Sequence, residues 1–384
     1  MTDFRRIIQS TAGLVFAFMM SVTWAADINA ARSNEIPVKY SEETELVGVL
    51  CHIAGIDGYS FDAEDGVLED YLADVDSAFA GFKDHKAVVF ARERLFPRGF
   101  GWDFPMAFAL RLRLENGRLV YNEGIEKNFD DYYCRISRKD EKRFIKLLED
   151  FYDDSGFGRF FAGHKALYKE CENAMKEVVA GIDLSWYDRF FGRRENSTFN
   201  IYLGLLNGGG NYAVHQMNND GSDIINAVMG CCDRDENGNI YYGAIYTLPI
   251  LIHEFNHSYC NPLNNEFWSE IADSAGDLFS KNAKFYDSIA YGSPELMMDE
   301  TFVEACMMRY LMTHPLDLDG TGFKDMDELL ERLIDIDETD KKFVLIRDII
   351  DALQEREDNY DKYPEMRDFM PVYASRVNRA CGRE

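Results

Sequence analysis

Positive charge is in short supply in this 384-residue chain: 41 Lys and Arg stand against 68 Asp and Glu, a formal net charge of -27. Nucleic acid and anionic membrane surfaces would be repelled, so both are excluded as partners; a neutral or basic partner, or solubility after export, accounts for the acidity. Cysteine is sparse as well. Eight thiols show no framework of closely spaced pairs, so the chain is not a disulfide-stapled scaffold and no pairing can be read. Cys231 and Cys232 are adjacent and would bridge each other only with strain. Cys260 reads first as a core thiol, with a disulfide half or a neighbour of the site as alternatives. A long apolar run is also missing. Leu14 to Met20 follows Arg5 and Arg6 and precedes Thr23-Trp24-Ala25, the pattern of a signal peptide over residues 1–25 cleaved after Ala25. Gln9, Ser10 and Thr11 leave it short of the ~20 residues of a membrane span, and Ala26 in place of a cysteine excludes a lipid-anchored form. The expectation is an exported protein, periplasmic or extracellular, with no membrane span in the mature chain. An apolar fraction of 46% is that of a globular protein with a sizeable core.

What is present is concentrated in Thr247-Leu-Pro-Ile-Leu-Ile-His253-Glu254-Phe255-Asn256-His257-Ser-Tyr259. Pro249 suits a first helical turn and Thr247 can cap it, so the spacing predicts a helix starting just before His253. Residues i and i+4 share a helix face, so His253 and His257 present two imidazoles to one cation, a zinc-ligand spacing. Glu254 is placed to take a proton from a metal-bound water. Ile252, Phe255 and Tyr259 form the apolar stripe. A chance match on an amphipathic helix is the plain alternative, and it is rare at this length.

The remainder predicts an α+β chain, mostly helical, with a small sheet beside the motif helix. The mature chain divides into a mainly helical part, 26–195, and a catalytic part, 196–384, joined in one continuous domain. After a polar lead-in, 26–38, Ser41 caps a helix over 42–54, with Glu42 and Glu43 in its first turn. Helical spacing recurs over 70–82, 86–92, 137–152 and 166–179, and Leu110 to Leu114 before Asn116-Gly117 forms one arm of a hairpin. The aromatics around Phe157 to Phe161 and Trp186 to Phe191 read as core. Strands are expected over 198–206, 223–229 and 239–246, with Asn207 to Tyr212 a flexible glycine turn and 233–238 a hairpin turn. Helices close the chain over 325–336, 341–353 and 366–377, the last interrupted by Pro371.

A catalytic zinc keeps three protein ligands and a water, so a third donor lies farther along. An extended site with Gly at 260 and His at 263 is excluded, because Cys260 and Leu263 stand there. Only His314 remains downstream as an imidazole, next to Pro315. The best acid lies in Met298-Asp-Glu300-Thr-Phe-Val-Glu304-Ala-Cys306, a second helix with Phe302, Val303 and Cys306 buried and Glu300 and Glu304 one turn apart on its polar side. One of the two binds the metal while the other holds a ligand histidine by its remaining N–H. Glu266, Glu270 and Asp273 are the rival acids.

At this point the chain resembles the gluzincin metallopeptidases, in which a downstream Glu is the third zinc ligand and a carboxylate four residues later supports a histidine. Glu300 and Glu304 match those positions. Leu205 to Tyr212, His253 to Pro262, Ala290-Tyr291-Gly292 and Glu300 to Ala305 more closely resemble a bacterial domain-of-unknown-function family of exported, gluzincin-like proteins, from about residue 36 to the C-terminus. The resemblance implies a zincin-like fold and zinc-dependent hydrolysis of a peptide or protein substrate, with Glu254 as general base. It also implies Tyr291 as the donor to the developing oxyanion, with His215 and His314 as alternatives. A calcium loop is a second cation reading: Asp317, Asp319, Thr321, Asp325 and Glu328 occupy positions 1, 3, 5, 9 and 12 with Gly322 at position 6, and an acidic turn opening the next helix explains the same residues. Two other functions remain open: a zinc-containing surface or binding protein without turnover, and a zinc hydrolase of a non-peptide amide.

Overall fold

The computed structural model describes residues 35–61, 66–127, 132–230, 232–289 and 291–383. The signal segment, Cys231 and Ala290 lie outside them. The fold is α+β and helices dominate. Its strands are β1 (Val38–Lys39), β2 (Leu112–Glu115), β3 (Arg118–Tyr121), β4 (Thr198–Leu203), β5 (Tyr212–Met217), β6 (Asp223–Met229), β7 (Asp233–Arg234) and β8 (Ile240–Tyr241). Four of them form a sheet in the order β1-β4-β6-β5, parallel except for the antiparallel edge strand β5. The pairs β2-β3 and β7-β8 are two-stranded ribbons. In the first, Asn116 and Gly117 both have positive φ, 51° and 76°, which is what a tight two-residue hairpin turn requires.

Side-chain caps set several helix starts. Ser41, Ser137 and Ser293 accept the N–H groups of Thr44, Asp140 and Leu296 at 3.2, 3.1 and 3.2 Å, and Asp325 accepts that of Glu328 at 3.0 Å. The helices that follow span Glu42–Ala54, Arg138–Ser155, Pro294–Thr313 and Met326–Asp335. Buried apolar residues from both sides of residue 196 form one contiguous core.

Several elements differ from their sequence-based expectation. The motif helix begins at Ala244 and runs to Ser288, with non-helical backbone at Asn282. Thr247 is therefore not its cap: its own N–H already bonds back to Gly243 O at 2.8 Å. Pro249 sits in the sixth position, where its missing N–H leaves the Ile245 carbonyl without its helical donor. The strand expected over 239–246 shrinks to Ile240–Tyr241. Conversely, β1 falls in the supposed lead-in, and β5 follows directly on the glycine turn. That turn is packed, since Gly230 N–H donates to Asn211 Oδ1 at 2.9 Å and a Cβ at Gly230 would run into the Gly208 carbonyl. The helix expected from Lys341 starts at Ile346, because Lys342 adopts φ 63°. Pro371 interrupts nothing; its helix continues from Met366 to Ala380 behind a reciprocal cap of Glu365 and Asp368.

Candidate metal centre

The motif helix lies against β5 and β6 on one side and against the Pro294–Thr313 helix on the other. Two asparagines clip the helices together. Asn256 donates to the Val303 carbonyl at 3.3 Å, and Asn264, two turns on, donates to the Met298 carbonyl at 3.2 Å and to Asp299 Oδ1 at 3.0 Å. The Pro294–Thr313 helix has no solvated face at its middle: Glu304 is buried along with Phe302, Val303 and Cys306. Cys260 is a core thiol, its Sγ 3.7 Å from that of Cys306 across the helix interface.

These contacts bring His253, His257 and Glu300 together. Nε2 of His253 is 3.1 Å from Nε2 of His257 and 3.4 Å from Glu300 Oε2, and His257 Nε2 is 3.7 Å from Glu300 Oε1. A tetrahedral ion with ligand bonds of about 2.05 Å has ligand-to-ligand edges of about 3.3 Å, so two imidazoles and a carboxylate at these separations fit a zinc-type donor set. Among the described residues this is the one group of three or more His, Cys, Asp or Glu whose donor atoms converge.

The opposite ring nitrogens are held as well. His253 Nδ1 faces Glu304 Oε1 at 3.3 Å, and His257 Nδ1 faces Asn261 Oδ1 at 3.1 Å. A proton kept on each Nδ1 leaves both Nε2 lone pairs directed at the centre. Glu304 in turn is salt-bridged to Lys341, whose Nζ also meets Asp337 Oδ1 at 2.9 Å. Burial alone would make His253 less basic, but Glu304, then Glu300 and Glu254, outweigh it and lift the imidazole to about 9. Positive charge is thus favoured at this point. Burial would raise the Glu304 carboxyl, yet Lys341 and His253 hold it well below the usual range. Burial and the nearby Glu304 charge push Asp337 up to about 7.

Glu254 is 7% exposed, with the Ala213 amide of β5 bonded to its carboxylate, and burial raises its pKa. It borders a cleft of about 270 Å³ together with His253, Tyr291, Lys341, Met307 and Asn211. The Tyr291 phenol is beside Glu300 and bonded to it, and its ring stacks on Phe343 at 5.7 Å between centroids. The expected Glu254, Tyr291, His253, His257, Glu300 and Glu304 are therefore assembled at one place.

Other candidates are placed elsewhere. His215 pairs with Asp223 at 2.6 Å and His314 with Asp183 at 3.3 Å, and neither borders this cleft. Glu266 and Asp273 form exposed pairs with Arg367 and Arg383, and Glu270 is exposed on the same stretch. In the acidic loop, Asp325 caps a helix and meets Lys324 at 3.0 Å, Glu328 accepts the Lys324 amide at 2.8 Å, and Thr321 bonds to the Leu318 carbonyl at 2.7 Å. Its acids do not converge as a donor group. Asn261, Lys341 and Asp337 escaped the sequence reading. Asn261 alone had a signal, since it lies one turn after His257.

Fold and site together define a helix-rich α+β protein with a His-His-Glu donor set at the junction of two helices. The chain belongs to the family described as domain of unknown function DUF4932, whose profile covers residues 37–374. No curated protein and no solved structure matches the chain. No helix among the described residues is long and apolar enough to cross a membrane.

Proposed function

We propose that the protein is an exported, gluzincin-like zinc peptidase. The observation that carries this reading is the convergence of His253, His257 and Glu300 at ligand-edge distances, with the buried Glu254 next to them. Zinc bound there supplies a Lewis acid and a water of pKa near 7. Glu304 and Asn261 keep the imidazoles in the tautomer that leaves Nε2 open. Glu254, oriented by the Ala213 N–H, accepts a proton from the attacking water and returns it to the leaving amine. Tyr291 borders the cleft, and its phenol O–H, bonded to Glu300 here, would turn from that carboxylate to donate to the developing oxyanion. The edge strand β5 offers backbone groups to an extended peptide beside the cleft.

Metal analysis of the purified protein is expected to give one zinc per chain, lost in His253→Ala. Glu254→Gln is expected to keep the zinc and lower cleavage of a peptide library by about 10²–10⁴-fold. Folded wild-type protein without zinc sinks the reading. Retained zinc with no library cleavage turns it into a non-catalytic zinc protein, and cleavage of small amides alone moves it to an amide hydrolase.

A further inference from the structure

A second cavity, of about 260 Å³, opens beside β5 and is bordered by a different set of side chains from the metal cleft. Five of the eleven described residues that border it are apolar or aromatic, Phe104, Ala107, Ile125, Tyr132 and Val214, and the other six are polar or charged. Two residues that border it each carry a buried donor without a partner. Arg111 is 6% exposed, and among the described residues no carboxylate pairs with it; its guanidinium lies over the Tyr132 ring at 4.0 Å and donates from Nη2 to the Lys127 carbonyl, while its Nε has no partner. Gln216, also 6% exposed, uses Oε1 to accept from Asn226 at 3.2 Å, and its Nε2 has no partner. A guanidinium Nε–H and an amide Nε2–H buried without acceptors are each costly, and a carboxylate is the kind of acceptor that suits both.

Three of the other charged groups here have partners already. Arg135 holds Asp103 with two bonds, at 2.7 and 3.0 Å, and His215 pairs with Asp223, while Glu126, tied to Met217 O through its backbone amide, also borders the cavity. Glu141, behind Tyr132, accepts three tyrosine hydroxyls at 3.0, 3.0 and 3.3 Å. Among the described residues, Arg111 is thus the cation at this cavity with no acid paired to it. We propose that the cavity is a second ligand site, independent of the metal centre, which takes a small organic carboxylate with an apolar or aromatic body. The carboxylate is received by Arg111 and Gln216, and the body packs against Phe104, Ile125 and Val214.

Calorimetric titration of the full chain with benzoate, and with benzamide as its uncharged isostere, tests this. Benzoate is expected to bind with a Kd of about 1 mM or tighter and benzamide at least about tenfold more weakly. Arg111→Lys keeps the charge but loses the planar fork, and is expected to weaken benzoate about tenfold or more. Gln216→Glu keeps the acceptor for Asn226 and puts a carboxylate on the wall itself, so it is expected to abolish benzoate binding even if the Arg111 variant fails to fold. His253→Ala is expected to leave the benzoate affinity within about twofold, which separates this site from carboxylate capture at the metal. No benzoate uptake by folded wild type, equal binding of benzamide, binding untouched by Gln216→Glu, or loss in His253→Ala overturns the proposal.

Discussion

Lys341 lies 37 residues beyond Glu304 in sequence, yet its ammonium is what allows two acids to be buried behind His253. Glu304 and Asp337 have side chains only 7% and 2% exposed. Lys341→Met leaves Asp337 without its cation and Glu304 with His253 alone, and is expected to cost about 3 kcal/mol in urea unfolding and to weaken zinc in chelator competition. Glu300→Ala removes a donor and is expected to abolish tight zinc binding, while Glu304→Ala and Asn261→Leu remove only orientation and are expected to cost about 10–100-fold. Zinc retained in Glu300→Ala but lost in Glu304→Ala reverses the two roles. At this scale the sequence was legible where donors sit at fixed helical offsets: His253, Glu254 and His257 within one turn, Glu300 and Glu304 within another. Lys341 was not legible, because nothing in its own neighbourhood marks it; its role exists only where a π-helical turn over Ile336–Asp340 meets the Pro294–Thr313 helix.

Between elements, the Asn256 amide reaches a backbone carbonyl of the partner helix in a place with no water to replace it. Asn256→Ala is expected to lose about 1–3 kcal/mol and to reduce zinc affinity with it, because the clip sets the distance between the helix carrying both histidines and the helix carrying Glu300. Unchanged stability with unchanged zinc affinity dissociates packing from the centre. Nothing in the sequence around Asn256 marks this use, and only its complete burial shows it. The strands were legible unevenly. Residues 223–229 are mostly buried and apolar, as expected of a strand inside the sheet, whereas Tyr212–Met217 alternates buried and half-buried residues behind five polar or glycine positions that look like an open loop. Pro249 misled in the other direction: a proline that favours a first turn was tolerated a turn later, so the motif helix started earlier than its punctuation suggests.

Over the whole molecule, burial and charge make stability depend on pH and salt. Burial lifts Glu45 to about 7, although the Tyr71 hydroxyl at 2.6 Å and the Leu205 amide at 3.3 Å both donate to it. Between about 4.5 and about 7 the folded chain holds a proton that the unfolded chain has released. This contribution is therefore fully present below about pH 4.5 and is lost as pH rises through about 7, worth roughly 3 kcal/mol across the window. Urea midpoints at about pH 5 and pH 8 are expected to differ in that direction, and Glu45→Gln to shrink the difference. With a formal charge of -27 the folded chain also repels itself, so its Tm is expected to rise by a few degrees between low salt and about 0.15 M. Composition made that acidity plain and helical spacing the helix-rich class, while the single core joining both halves depends on pairings between distant segments that no local pattern records. The asparagine clips have one more effect, on motion. Because Asn256 and Asn264 tie the two ligand helices at two heights, those helices are expected to behave as one slow unit in hydrogen exchange, and the cleft to change width through its other walls, the glycine turn at 207–211 and the Lys341 turn. Amides there are expected to exchange ahead of those at 251–260 and 298–311, so a substrate would enter by displacing a turn while the donors stay fixed.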